Sequence, residues 1–365
     1  MKILFDGRVC WDHFTGIGRY AFGLIHHLPS ACPDLSFVVA WNPSLPNRRF
    51  DWGQVREFEN VRLVECGGSG LGPLDPLGLR SVARAERADL LQAPYFTSAL
   101  ASPIPSIVTI YDLIPFEPAG RRGLHAALAR WGIARAARSA AAVITLTEVV
   151  REQILRHFAL DGACVIAIPP GLEAPPQGPL HDPSLAGAPY VLSVGVHKPH
   201  KNLDGLLEAM ALAFPSGQTR LVLAGPLSPL TPALRARAAS LGLVHRVVFT
   251  GPLEDAQLGP LYRGAAAVAL VSFSEGFGLP LAEAMSVRVP IVASDLPVLR
   301  EVCGRAAIYV APDSPESIAE GLRSALRQGG EAQIRLAEGE RRAAELSWPA
   351  LVRRYAACYG TGVSA

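Results

Sequence analysis

Paired cysteines are missing from this sequence. Its six cysteines, at 10, 32, 66, 164, 303 and 358, stand far apart, with no CxxC and no Cys/His cluster. A structural zinc is therefore disfavoured. The density is also far below that of a disulfide framework, so a reduced, cytoplasmic setting fits. A surplus of one charge is missing too: 34 Lys plus Arg face 32 Asp plus Glu, a net charge of +2. That balance holds in both halves of the chain and argues against a general nucleic-acid binder. No run reaches the roughly 18–20 apolar residues of a membrane span, and the apolar run after Met1 is too short for a signal peptide. A P-loop, G-x-x-x-x-G-K-[ST], is absent. Gly16-Ile17-Gly18-Arg19-Tyr20-Ala21 lacks the third glycine of a dinucleotide fingerprint, which disfavours an NAD enzyme.

What is present is apolar and alternating. Half of the 365 residues are hydrophobic, enough for two ordinary domains. Short β-rich runs at Lys2–Phe5, Phe37–Trp41, Val61–Val64, Leu90-Leu91, Ile107–Ile110 and Val143–Thr147 alternate with loop or helical text. Arg19–Leu28 reads as a helix closed by Pro29. Such alternation implies an α/β fold with a parallel sheet. A proline- and glycine-rich stretch, Gly171–Pro189, is the best boundary. The rhythm restarts at Tyr190–Val194 and runs to a last amphipathic helix, Trp348–Tyr359. The expected domains are 1–175 with the closing helix 347–361 packing back, and 186–346. Two doubly wound, Rossmann-like sheets would place a ligand site at strand C-terminal ends, in the cleft between domains.

The strongest motif is Ser274-Glu275-Gly276-Phe277-Gly278-Leu279-Pro280-Leu281-Ala282-Glu283-Ala284. Two carboxylates lie eight apart, one in a Gly-rich loop and one in the following helix. A Gly-rich turn into a helix exposes backbone N–H groups suited to a phosphate or sugar oxygen. Glu275 could accept hydrogen bonds from sugar hydroxyls and Glu283 could reach a ribose. The plainer reading is a tight turn with Glu283 solvated. The whole string resembles the E-x7-E motif of retaining glycosyltransferase family 4, of the GT-B fold. Val194-Gly195 with Lys201-Asn202-Leu203 is similar to that family's phosphate-binding stretch. Thr15-Gly16-Ile17-Gly18-Arg19-Tyr20 and Tyr111-Asp112-Leu113-Ile114-Pro115 look like motifs of its bacterial mannosyltransferase-like members.

The resemblance implies roles residue by residue. Gly16 and Gly18, read as a loop between strand and helix, would let backbone approach a diphosphate. Lys201 would neutralise the leaving diphosphate. The family commonly has Arg before this Lys; here His200 stands there, so His200 or Lys198 is the candidate second cation. Gly276, Phe277, Gly278 and Leu279 would line the donor site with Glu275 and Glu283. Asp112 would orient the acceptor hydroxyl, with Arg19, Tyr20 and Tyr111 beside it. Asp112 also reads as a loop-capping carboxylate. Relatives usually carry His where Tyr111 stands, and a phenol brings no charge at neutral pH.

These residues imply a hexosyltransferase moving mannose or rhamnose to a saccharide or lipid-linked saccharide of a surface polysaccharide. A GDP-sugar is the first donor and a UDP-sugar the second. The resemblance implies no metal, and no Asp-x-Asp occurs. A catalytically silent GT-B subunit and a sugar-nucleotide epimerase are the rivals. The acid-free stretch 121–138 carries Arg121, Arg122, Arg130, Arg135 and Arg138 with Trp131. It reads first as a solvated helix face. The other reading is a peripheral contact with anionic lipid at the inner face of a membrane, or with a pyrophosphate-linked acceptor.

Overall fold

A computed structural model describes residues 1–12, 15–72, 75–117, 123–180, 185 and 187–361. The chain divides into two compact units, Met1–Gly171 with Ser347–Ala365, and Leu172–Leu346. Both are layered α/β units around a parallel sheet.

In the first unit the strands are β1 (Lys2–Asp6), β2 (Ser36–Trp41), β3 (Val61–Glu65), β4 (Leu90–Ala93), β5 (Ser106–Thr109), β6 (Ala142–Thr145) and β7 (Val165–Ala167). They lie in the order β3-β2-β1-β4-β5-β6-β7, every pairing parallel. Central β1 pairs Ile3 with Phe37 on one side and with Leu90 on the other. Strands β4, β5 and β6 are buried at every residue, as sheets with helices on both faces require. The short run Val165–Ala167, unread in the sequence, supplies the edge strand.

The first helix runs Thr15–Ala31, longer at both ends than its sequence pattern predicts. Gly16 and Gly18 are therefore in its opening turn, not in a loop, and Pro29 lies inside it. Pro29 sits so near the C-terminus that its missing N–H removes a bond only from the last turn. Gly18 is buried, and a Cβ there would come 3.0 Å from Phe50 and 3.1 Å from the Val9 carbonyl. Gly16 is exposed and has open space around it.

The closing helix Trp348–Thr361 completes this unit. Trp348, 3 % exposed, fills the space two glycines leave: a Cβ would come 2.1 Å from its ring at Gly23 and 2.0 Å at Gly171. Its indole stacks on His27, with ring centroids 5.3 Å apart. The Tyr355 hydroxyl donates to the Ile168 and Pro169 carbonyls at 3.1 and 2.8 Å.

The second unit holds β8 (Tyr190–Val194), β9 (Arg220–Ala224), β10 (Val247–Gly251), β11 (Ala267–Leu270), β12 (Ile291–Ser294) and β13 (Ala307–Val310). Their order is β10-β9-β8-β11-β12-β13, again all parallel. Strand order reverses between β8 and β11. One face buries Val191, Leu221, Leu223, Ala267 and Ala269 against Leu206, Leu207, Met210, Ile318 and Leu322. At such a reversal the loops leaving neighbouring strands part in opposite directions, which opens a crevice beyond their carboxyl ends.

Candidate active site

Two of the sequence-predicted residues meet at that switch point. The segment after β8 makes a tight 3-10 turn, Pro199–Lys201, stopped by Asn202 in a left-handed conformation. The segment after β11 runs from Val271 through Glu275 to Gly278, where the helix Leu279–Ser286 begins. Lys201 Nζ donates to Glu275 Oε1 at 2.6 Å, and their side chains are only 18 % and 10 % exposed. Ser272 Oγ donates to the same oxygen at 2.7 Å. The Phe273 N–H donates to the His200 carbonyl at 2.8 Å, fastening the two segments together.

Neighbouring side chains fix this arrangement. Asn202 Nδ2 donates to the Val271 and Pro312 carbonyls, tying the β8 loop to the ends of β11 and β13. Ser294 Oγ donates to the Ser272 carbonyl at 2.6 Å. Gly278 opens the helix at φ +91°, and a Cβ would come 2.6 Å from Leu299. Gly278 has no side chain to cap the helix it opens, and Pro280 within the first turn has no N–H. The partial positive charge of the first turn faces the Gly276–Leu279 segment. Phe277 and Gly278 are buried; Glu275, Gly276 and Leu279 are half-buried.

Glu283 is not solvated. It is 5 % exposed within the helix and accepts a hydrogen bond from the hydroxyl of fully buried Tyr262. A carboxylate with so little water needs such donors. Tyr262→Phe removes one of them and is expected to destabilise the second unit by about 1.5–3 kcal/mol. Urea unfolding of the variant beside the parent checks it.

His200 is half-buried and Lys198 exposed, both in the β8 loop. His197, which the sequence did not single out, is 2 % exposed. Its Nδ1 lies 2.8 Å from Thr231 Oγ1, and Thr231 Oγ1 accepts from the Ser228 N–H. Burial, helped by the Arg235 charge, lowers its pKa, so the ring is neutral at pH 7.

The remaining predicted residues belong to the first unit. The Tyr20 hydroxyl lies 3.0 Å from Thr109 Oγ1, and its ring packs edge-on to Tyr111 with centroids 5.6 Å apart. The Tyr111 hydroxyl donates to the Pro94 carbonyl at 2.7 Å. Its proton is thus committed to backbone. Burial pushes the phenols of Tyr20, Tyr111 and Tyr355 above their ordinary values, so all three stay neutral. Asp112 is half-buried in the loop after β5, and its Oδ1 accepts the Ile114 N–H at 3.0 Å, a loop-capping bond. Arg19 is half-buried in the first helix. Arg121 and Arg122 lie outside the described residues.

Beneath these loops is a buried ion pair that the sequence reading missed. At the carboxyl end of β1, Asp6 accepts from Arg8 Nε at 2.8 Å and from Arg8 Nη2 at 2.9 Å, with both side chains fully buried. Ser98 Oγ donates to Asp6, while Arg8 Nη1 donates to the Gly67 and Asp75 carbonyls at 2.9 and 3.0 Å. Asp75 in turn accepts the N–H groups of Ser69, Leu71 and Gly72. Residues 67–72 and Asp75 are thereby fastened to the end of the central strand.

Residues 183–343 match the family model described as glycosyl transferases group 1, and residues 15–171 match the glycosyl transferase 4-like domain. The chain belongs to the glycosyl transferase group 1 and 4-like families that these two models describe, and it has the GT-B fold. It is 30% identical over 223 residues to the O-antigen chain mannosyltransferase B of Escherichia coli, a match over 58% of each chain. It thus spans less than two thirds of that curated relative. Among solved structures it superposes on sucrose-phosphate synthase from Thermosynechococcus elongatus with a TM-score of 0.79 at 19% identity, over 99% of this chain and 98% of that one. HepE of Anabaena, solved in complex with UDP-glucose, gives a TM-score of 0.75 at 20% identity, over 99% and 100%.

No group of three or more His, Cys, Asp or Glu side chains that could hold a metal ion occurs among the described residues. No helix among them is long and apolar enough to cross a membrane. Sequence signals existed for some of the missed residues: Ser272 lies three residues before Glu275, and Asp6, which ends β1, is followed at once by Gly7-Arg8. Tyr262, 21 residues before Glu283, had none.

Proposed function

We propose that this protein transfers a hexose, mannose or rhamnose first, from a nucleotide sugar to a saccharide or lipid-linked saccharide, with retention at the anomeric carbon. The observation that carries the reading is the Lys201–Glu275 pair beside a glycine-opened helix start at the switch point of the second sheet. One cation and one carboxylate, set together and half-screened from water, suit a diphosphate and a sugar hydroxyl respectively. Lys201 turns from Glu275 to the departing diphosphate. The freed Glu275 then accepts from the donor's hydroxyls, still held by Ser272. Glu283, anchored by Tyr262, is placed to accept from the ribose. Gly276 to Leu279 bring backbone donors to the diphosphate, and His200 is the second polar group on the same loop.

The incoming hydroxyl gives its proton to the departing diphosphate oxygen as the new bond forms on the same face. The protein's part is to hold charge where it develops. Asp112, in the first unit, orients the acceptor. Tyr111 shapes that site by packing, because its hydroxyl is already used on Pro94. Gly18 acts through its fit against Phe50, and Gly16 is the glycine that leaves room for a donor.

GDP-mannose is the first donor to test, on the strength of the O-antigen mannosyltransferase relative. A UDP-hexose is second, supported by the UDP-glucose complex of HepE. At about 100 times its dissociation constant the true donor adds about 2.7 kcal/mol of stability. A thermal-shift panel of GDP- and UDP-sugars is expected to show a rise of several degrees for one sugar nucleotide. Acceptor-dependent release of the diphosphate then separates transfer from the alternatives. Isomerisation without acceptor would replace this reading by an epimerase. Absence of both donor binding and turnover across the panel would leave a silent binding subunit.

A further inference from the structure

We infer that the outer face of the helix Leu124–Ser139 docks on an anionic lipid bilayer. Leu124, Leu128 and Trp131 are 73 %, 55 % and 61 % exposed. Arg135 and Arg138 are exposed as well. The five positions are spaced four, three, four and three, so they lie in one stripe along the helix. The opposite side, Ala126, Ile133, Ala136 and Ala137, is buried in the first unit. The stripe is apolar for its first two turns and basic thereafter.

The occupant follows from charge and chemistry. No Asp or Glu occurs anywhere from Pro118 to Thr147, while Arg121, Arg122, Arg130, Arg135 and Arg138 do. A fully solvated face does not need two leucines and a tryptophan, and elsewhere exposed large apolar residues are scattered. A tryptophan among leucines, flanked by arginines and free of acids, fits the boundary between headgroups and acyl chains, where the indole finds both apolar and polar surroundings. The arginines meet the phosphates of acidic lipids, and their stems lie along the surface. This deepens the reading of a lipid-linked acceptor: the surface would hold the enzyme where such an acceptor lies. It uses none of the donor residues.

The test is sedimentation of the full chain with vesicles of a roughly 3:7 mixture of phosphatidylglycerol and phosphatidylcholine, and with pure phosphatidylcholine. The parent is expected to sediment with the acidic vesicles and to be released as salt is raised. A Leu124→Ser, Leu128→Ser, Trp131→Ser variant is expected to bind at least about tenfold more weakly. Arg135→Gln with Arg138→Gln, which leaves the apolar stripe intact and guards against a misfolded triple variant, is expected to lose roughly tenfold and most of the salt dependence. Both variants should keep the parent's thermal shift with sugar nucleotide. A missing thermal shift in the parent would therefore count against the donor reading alone. No sedimentation with acidic vesicles at low salt, or unchanged sedimentation of both variants, overturns the inference. So does a parental dimer that the triple variant converts to monomer.

Discussion

Lys201→Ala is expected to lower the rate of sugar transfer by roughly 100- to 1,000-fold, the loss seen when one preorganised charge-stabilising donor is removed from an active site. The reason is where the charge appears. In the proposed transfer negative charge gathers on the diphosphate as the sugar leaves, and Lys201 is the cation at the switch point, held by Glu275 at 2.6 Å in the free protein. Its removal also leaves Glu275, with a side chain only 10 % exposed, with Ser272 as its remaining neighbour in this pair of segments. Some loss of stability therefore accompanies the loss of rate. Lys201→Arg keeps the charge but not the compact ammonium, and should recover part of kcat. Initial rates with the donor found by thermal shift check this, with diphosphate release as the readout. A Lys201→Ala enzyme within threefold of the parent would remove Lys201 from the chemistry.

Arg8→Ala is expected to destabilise the first unit by about 3–5 kcal/mol, because it leaves the fully buried Asp6 carboxylate without its counter-charge. Of the two partners Arg8 is also the one that reaches furthest, donating to Gly67 and Asp75 as well as to Asp6. A typical domain has about 5–15 kcal/mol in all, so the loss is a large share. The pair raises the Arg8 pKa further, so its charge is fixed at every pH the protein meets. Replacing both residues together, as Asp6→Asn with Arg8→Met, should cost less than Arg8→Ala alone, since no bare charge is left. All five tryptophans, Trp11, Trp41, Trp52, Trp131 and Trp348, belong to the first unit. Tryptophan fluorescence during urea unfolding therefore follows this unit by itself. An unchanged midpoint in Arg8→Ala would contradict the prediction.

Much of the fold was legible because buried parallel strands announce themselves. Lys2–Phe5, Phe37–Trp41 and Tyr190–Val194 read as apolar β-rich runs, and each lies within a strand. The edge strands Val165–Ala167 and Ala307–Val310 did not stand out. They are short, and Val165–Ala167 runs directly into Ile168-Pro169-Pro170. The first helix was misjudged at both ends because Gly16, Gly18 and Pro29 argue locally for breaks. Packing of Gly18 against Phe50 and of the closing helix against this face outweighs those preferences. At the site, motif strings located Lys201, Glu275 and Glu283, but not what holds them. Ser272, Ser294, Asn202 and Tyr262 act through contacts 3 to 110 residues apart in the chain, and a one-dimensional pattern carries no trace of such pairings. The plain alternative for Glu283, solvation, failed for the same reason: burial by Tyr262 is a tertiary fact.

The placement of Trp348 between Gly23 and Gly171 has a consequence in time. A ribosome makes the first sheet, then the entire second unit, before the indole that fills that space exists. At about 5–20 residues per second, the surface bearing Gly23, His27 and Phe37 stays uncovered for roughly 10–35 s of synthesis. The second unit, one uninterrupted stretch of chain, can fold during that interval. The first unit is begun earlier and finished later, so its exposed face is where a chaperone would find this nascent chain.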